Sequence, residues 1–125
     1  MNVVDSSARL ECFANGSNAS FFTPPIEDLE QLIVPSVTIY EVFKRVLQQR
    51  EEEQALQAVA TVQQGTVVKL DERLAISAAR IGVDLKIPLA GRVVLATARA
   101  HSATVWTQDE DFRGLPNVQY RRRKA

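Results

Sequence analysis

Very short β-branched runs alternate along this chain with stretches whose apolar residues recur at helical spacing, and that alternation restricts the folds open to it more than any other feature. Val3-Val4, Leu32-Ile33-Val34, Thr66-Val67-Val68-Lys69-Leu70, Thr104-Val105-Trp106-Thr107 and the segment around Val118 to Tyr120 read as strands, because such residues suit a pleated, buried surface. Ser6 to Glu11 reads as a helix leaving the first strand. Ile39, Val42, Phe43, Val46 and Leu47 then recur at helical period with Lys44, Arg45 and Arg50 between them, and Glu52 to Gln63 carries Leu56, Val59 and Ala60 before stopping near Gly65. Asp71 is placed to cap a helix ending at Gly82, and Leu89 to His101 offers Val93, Val94, Ala96, Thr97 and Ala100 as a packing face. Residues 14 to 28, rich in Asn, Ser, Thr, Gly and Pro, are expected to form a loop with a short acidic helix around Ile26 to Gln31. Strands alternating with helices predict an α/β domain in three layers, with a mostly parallel central sheet flanked by helices.

The 125 residues, 46% of them hydrophobic, suffice for one core, so one domain over 1–120 is expected, followed by a basic tail over 121–125. Fifteen basic residues balance fifteen acidic ones, but Arg121, Arg122, Arg123 and Lys124 are all in the tail, leaving 11 against 15 elsewhere. An acidic body repels a nucleic-acid backbone unless metal ions or a local basic patch offset it. The tail is the candidate patch; its ordinary reading is a solvated, frayed terminus that aids solubility. Cys12, the only cysteine, excludes an intrachain disulfide and a cysteine-based zinc cluster. No basic leader followed by an apolar run opens the chain, and no 18-residue apolar stretch occurs in it. A cytoplasmic protein, neither exported nor membrane-bound, is therefore expected.

In open α/β sheets, ligands bind beyond the carboxyl ends of the strands. Asp5 and Asp109 fall at such ends, and Glu41 lies a few residues past another. Three carboxylates meeting there could hold Mg²⁺, a hard cation that prefers oxygen ligands and keeps waters for a substrate and a nucleophile. Each acid has an ordinary alternative: Asp5 as a helix cap, Glu41 as a first-turn residue favoured by the helix dipole, Asp109 as part of a turn. Phe43, Trp106 and Phe112 are expected in the core, and His101 is expected to act as a favourable charge at a helix C-terminus.

The residues around these acids carry a resemblance. Asn2-Val3-Val4-Asp5-Ser6-Ser7-Ala8, Val34-Pro35-Ser36-Val37-Thr38-Ile39-Tyr40-Glu41-Val42, Pro88-Leu89-Ala90 with Ala96-Thr97-Ala98-Arg99-Ala100-His101, and Thr107-Gln108-Asp109-Glu110-Asp111-Phe112 follow in the order and spacing of bacterial VapC-type PIN domains. The chain resembles that family almost from end to end. The resemblance implies an Mg²⁺-dependent endoribonuclease toxin of a type II toxin–antitoxin pair, usually a homodimer, restrained by a cognate antitoxin, with Mn²⁺ as an alternative cofactor. It implies catalytic roles for Asp5, Glu41 and Asp109, with Asp5 and Asp109 as metal ligands. Ser6 would help to place water or phosphate, and Thr107 would orient the loop of Asp109. Asp111 is either a substitute acid or a turn residue.

This sequence departs from the family pattern at Gly91-Arg92, where the family has an acid followed by a small residue. The change removes a metal-facing carboxylate and is expected to set a guanidinium beside its place, weakening Mg²⁺ binding. It also raises a competing function, a catalytically inactive PIN domain that serves as an antitoxin-binding and dimerisation module. Arg9, at a position commonly apolar in the family, is expected to face solvent. A phosphoacceptor receiver domain would need paired acids after the first strand and a lysine after a late one, and neither is present. No glycine-rich phosphate loop supports nucleotide binding.

Overall fold

A computed structural model describes residues 1–124. Five parallel strands, β1 (Asn2–Val4), β2 (Ile33–Pro35), β3 (Thr66–Val68), β4 (Thr104–Thr107) and β5 (Val118–Tyr120), lie in the order β3-β2-β1-β4-β5. The seam between β2 and β1 is a single bridge, Asn2 to Leu32, so the sheet consists of a three-stranded and a two-stranded ladder laid side by side. The helices are α1 (Ser6–Phe13), α2 (Ala19–Glu27), α3 (Ser36–Gln49), α4 (Glu52–Val62), α5 (Glu72–Asp84) and α6 (Leu89–Ala100). This is the expected α/β class with a parallel sheet flanked by helices.

Successive residues of a strand point to opposite faces, and the two cores divide accordingly. Val3, Ile33 and Val105 pack with α5, α6 and Phe112, whereas Val4, Leu32, Val34 and Trp106 pack with α1 through α4. Burial on both sides explains why the central strands β1 and β2 read as continuous apolar runs without alternation.

The stretch expected as a loop holds α2, despite Pro24 and Pro25 inside it. Phe22 is fully buried, and Phe21 stands edge-on to it at 5.1 Å while tilting against the Trp106 ring at 5.3 Å. Aromatic burial against the sheet thus overrides the helix-breaking tendency of the prolines. Only the acidic end was legible, as a 3-10 turn over Leu29–Gln31.

Arg9 is a second correction. It is 2% exposed, because α1 is packed by α2, α3 and β4 together, and its Nε has no hydrogen-bond partner. Desolvation brings its pKa down to about 10. A buried charge that lacks compensation destabilises the fold, so Arg9→Met, which keeps the stem and removes the charge, should stabilise it by about 1–4 kcal/mol. The measurement is the urea midpoint at pH 7, which should rise at constant m-value. A lower midpoint would mean that the guanidinium is held by favourable interactions.

The basic tail is tied down along its first residues. The Arg121 amide donates to the Thr107 carbonyl at 3.0 Å, the Arg121 guanidinium lies 4.1 Å above the Phe21 ring, and the Arg122 carbonyl accepts from Asn18 Nδ2 at 2.9 Å. The expected tail is therefore held against the body through Arg121 and Arg122; Ala125 lies outside the described residues.

Candidate active site

The site begins where β1 ends. Asp5 is 4% exposed and caps α1, its Oδ1 accepting from the Ala8 amide at 3.2 Å and from Ser7 Oγ at 2.7 Å. Its Oδ2 accepts from Thr107 Oγ1 at 2.8 Å, at the end of the adjacent strand β4. The helix-cap reading of Asp5 and its place in the cleft are thus both realised by one carboxylate. Thr107 Oγ1 in turn accepts from the Asp109 amide at 2.9 Å, so a single hydroxyl sets the start of the following loop relative to Asp5.

Glu41 arrives from α3, where one and a half helical turns past β2 bring it back over the sheet edge. Ser6 Oγ donates to Glu41 Oε1 at 3.1 Å. Asp109 caps a 3-10 turn over Glu110–Phe112, its Oδ1 accepting from the Asp111 amide at 2.9 Å. A cleft of about 80 Å³ is lined by Asp5, Glu41, Asp109 and Asp111, with Ser6 and Gly91 among its other walls. Asp111 therefore joins the cleft as well as its turn.

Burial raises the Asp5 pKa to about 6, partly countered by the Ser7, Thr107 and Ala8 hydrogen bonds and reinforced by the charge of Asp109. Glu41 is raised in the same direction by burial, with the Ser6 hydrogen bond opposing; Asp109 raises it further and outweighs the opposing effect of Lys44. No arginine or lysine lines the cleft. The donor set is all oxygen and short of positive charge, which suits a hard divalent cation. Its spacing is not that of a finished cage, since among the described residues no three His, Cys, Asp or Glu side chains close on one point.

Gly91 sits in the first turn of α6 and forms part of the cleft wall. A Cβ there would stand 3.3 Å from Phe112 Cζ and 3.6 Å from Ile87 Cδ1, so the glycine lets the Phe112 ring tuck beneath the helix start. Arg92 does not occupy the missing carboxylate's place. Its Nε donates to the Ile87 carbonyl at 2.7 Å, and its guanidinium fills the space left by Gly82 on α5, where a Cβ would be 2.8 Å from it. The expected guanidinium at the metal position is overturned by this outward course.

The PIN domain profile matches residues 3–118. The chain belongs to the PIN-domain family. No curated protein matches this PIN domain's sequence at a significant level. Among solved structures it is similar to a chain of a toxin–antitoxin complex from Klebsiella pneumoniae, at 20% identity and a TM-score of 0.77, covering 95% of this chain and 96% of that one. It is similar too to Mycobacterium tuberculosis VapC20, described as a sarcin-ricin loop cleaving toxin, at 13% identity and a TM-score of 0.76, covering 94% and 97%. A chain of FitAcB from Neisseria gonorrhoeae matches at 20% identity and a TM-score of 0.73, covering 96% of each. At these identities the likeness is one of fold.

Within the PIN domain, sequence reasoning missed Ser7, Asn18 and Gln108. Ser7 Oγ accepts from the Gln108 amide at 3.2 Å, and Gln108 Oε1 accepts from Asn18 Nδ2 at 3.0 Å, which props the Asp109 loop from behind. The second serine after Asp5 was the available signal for Ser7; Asn18, in a stretch read as loop, offered none. His101 is the C-cap of α6, its Nδ1 3.0 Å from the Thr97 carbonyl, and Phe112 lies in the core as expected. No described helix is long and apolar enough to cross a membrane.

Proposed function

We propose that this PIN domain is the toxin of a type II toxin–antitoxin pair, an Mg²⁺-dependent endoribonuclease whose catalytic residues are Asp5, Glu41 and Asp109. The observation that carries the reading is the meeting of three acids, from the β1 end, from α3 and from the β4 loop, in one cleft whose walls hold no cation. Asp5 and Asp109 would hold the metal, and Mn²⁺ could replace Mg²⁺ on the same oxygen donors. A divalent cation bound there polarises a phosphate and lowers the pKa of a water. Asp5 is fixed in one rotamer by its three hydrogen bonds, so it presents its remaining lone pairs without reorganisation. Glu41, made more basic by burial and oriented by Ser6, is suited to accept a proton from an attacking water. Antitoxin complexes among the structural neighbours support a cognate antitoxin as partner, and an arginine from it would complement the acidic cleft. A homodimer working in the cytoplasm completes the reading.

One observation favours the second reading, a catalytically inactive module that binds antitoxin and dimerises. Gly91 leaves the cleft wall without a carboxylate, and the remaining acids do not form a closed set. Incubating the purified protein with a mixed-sequence single-stranded RNA in EDTA and across a Mg²⁺ titration separates the two. Cleavage that appears with Mg²⁺ and disappears with EDTA is the expected result. Calorimetry showing neither Mg²⁺ binding nor cleavage at millimolar metal would assign the chain to the second reading.

A further inference from the structure

A second, larger depression runs along the other side of α1. It has a volume of about 760 Å³ and lies between α1, α3, α4 and the C-terminal segment. Arg45 of α3, its C-cap Arg50, and Arg123 and Lys124 of the C-terminal segment all line it. All four are exposed, in a protein whose remaining residues carry an acidic excess. Their convergence requires the docked course of the C-terminal segment, fixed by Asn18 and Thr107. Glu11, the one acid on the groove wall among the described residues, has an oxygen engaged by the Asn18 amide at 2.8 Å. Phe13, 42% exposed, offers an aromatic face on the same wall.

Consecutive residues of α1 connect this groove to the acidic cleft. Ser6 belongs to the cleft and Ser7 to the groove, while Gln108 on the groove wall directly precedes Asp109 in the cleft. We propose that the groove is the binding track for single-stranded RNA, whose backbone phosphates are held by Arg45, Arg50, Arg123 and Lys124 as the strand leads to the acids. The proposal rests on the nuclease reading for the identity of the polyanion, and it adds where the strand lies and what holds it. Two pairs of cations from separate chain segments track a flexible phosphate backbone, and an exposed aromatic side chain stacks a base without demanding a sequence. A protein partner would instead use the apolar lining, Leu10, Ala14, Val46 and Ala58, and would leave the exposed cations on solvent.

The test uses the intact protein, a fluorescent 2′-O-methyl oligoribonucleotide that cannot be cleaved, and EDTA, with affinity followed by anisotropy against KCl concentration. Four phosphate contacts to a single strand should give a log–log slope near about −2.8. Arg45→Ala with Arg50→Ala, or deletion of residues 123–125, should each bring the slope closer to zero by about 1.4 and weaken binding several-fold at ~0.1 M salt. Circular dichroism checks that each variant is folded. An unchanged slope in folded variants overturns the track. So does loss of antitoxin binding with RNA binding intact, which would give the groove to a protein partner. If the parent binds RNA through these cations but never cleaves it with Mg²⁺, the nuclease reading fails and the track stands. If the parent cleaves and the charge variants keep its KM, the track fails and the nuclease reading stands.

Discussion

Asp5→Asn is expected to make the protein more stable and far less active. The carboxylate is buried, and its pKa of about 6 against an ordinary 3.8 measures how strongly folding disfavours its charge. At about 1.4 kcal/mol per pKa unit, a shift of this size corresponds to roughly 3 kcal/mol of stability withheld above pH 6. The folded protein binds more protons than the unfolded chain between pH 4 and 6, so this contribution is present at low pH and lost as pH rises through 6. An amide keeps the shape and carries no charge; Nδ2 can donate to Thr107 Oγ1 while Oδ1 retains the Ser7 and Ala8 bonds. In EDTA the stability gap between variant and parent should therefore be near zero at pH 4 and open above pH 6, in the variant's favour. Mg²⁺ should narrow it by stabilising the parent alone. RNA cleavage should fall by at least ~10²-fold. A variant less stable than its parent at pH 7.5 in EDTA would contradict the reading of Asp5 as a strained, functional acid.

Gly91→Asp should move activity the other way. The first turn of α6 has no acidic residue, and its N-cap, Pro88, makes no side-chain capping bond, so a carboxylate there meets an unopposed helix dipole. Replacing a helical glycine and satisfying the dipole together offer about 1 kcal/mol, against which stands the close approach of a Cβ to Phe112 Cζ at 3.3 Å. Net stability in EDTA should stay within about 1 kcal/mol of the parent, since a few tenths of an ångström of ring movement relieves the contact. Mg²⁺ affinity, by calorimetry, should rise about tenfold or more because a further carboxylate joins Asp5, Glu41 and Asp109 at the cleft, and cleavage should rise with it. Gly91→Ala imposes the same Cβ without the charge and should leave both unchanged. Equal Mg²⁺ affinities for the two variants would show that position 91 is not a ligand position. Arg92→Ser adds nothing to the metal site, because that guanidinium packs on Gly82; it should lower stability through loss of the Ile87 hydrogen bond.

The strands and five of the six helices were legible because their signals are local: β-branched runs, helical periodicity, and caps such as Asp71, whose side chain does accept from the Leu74 amide. The helix α2 was hidden because its support, the Phe21–Phe22–Trp106 packing, joins residues more than 80 apart in sequence. Arg9 was misplaced for a similar reason, since a charged residue carries no local mark of being enclosed by three neighbouring elements. The three acids could be named from their strand-end and helix-start positions together with the family resemblance. Thr107 was assigned to the Asp109 loop through the family resemblance, whereas the part played by Ser7, the outward course of Arg92 and the basic groove depend on tertiary contacts that no window of sequence contains.

The thin joint between β1 and β2 bears on the acids themselves. Asp5 and Asp109 ride on the β1-β4-β5 ladder, while Glu41 stands on the helix that leaves β2, so the proposed catalytic set is divided between two plates of the sheet. One backbone bridge, Asn2 to Leu32, and the Ser6–Glu41 hydrogen bond span the division. A ligand that grips Glu41 and Asp5 together acts as a rivet between the plates, and the geometry of the reacting centre is set by how tightly they are fastened.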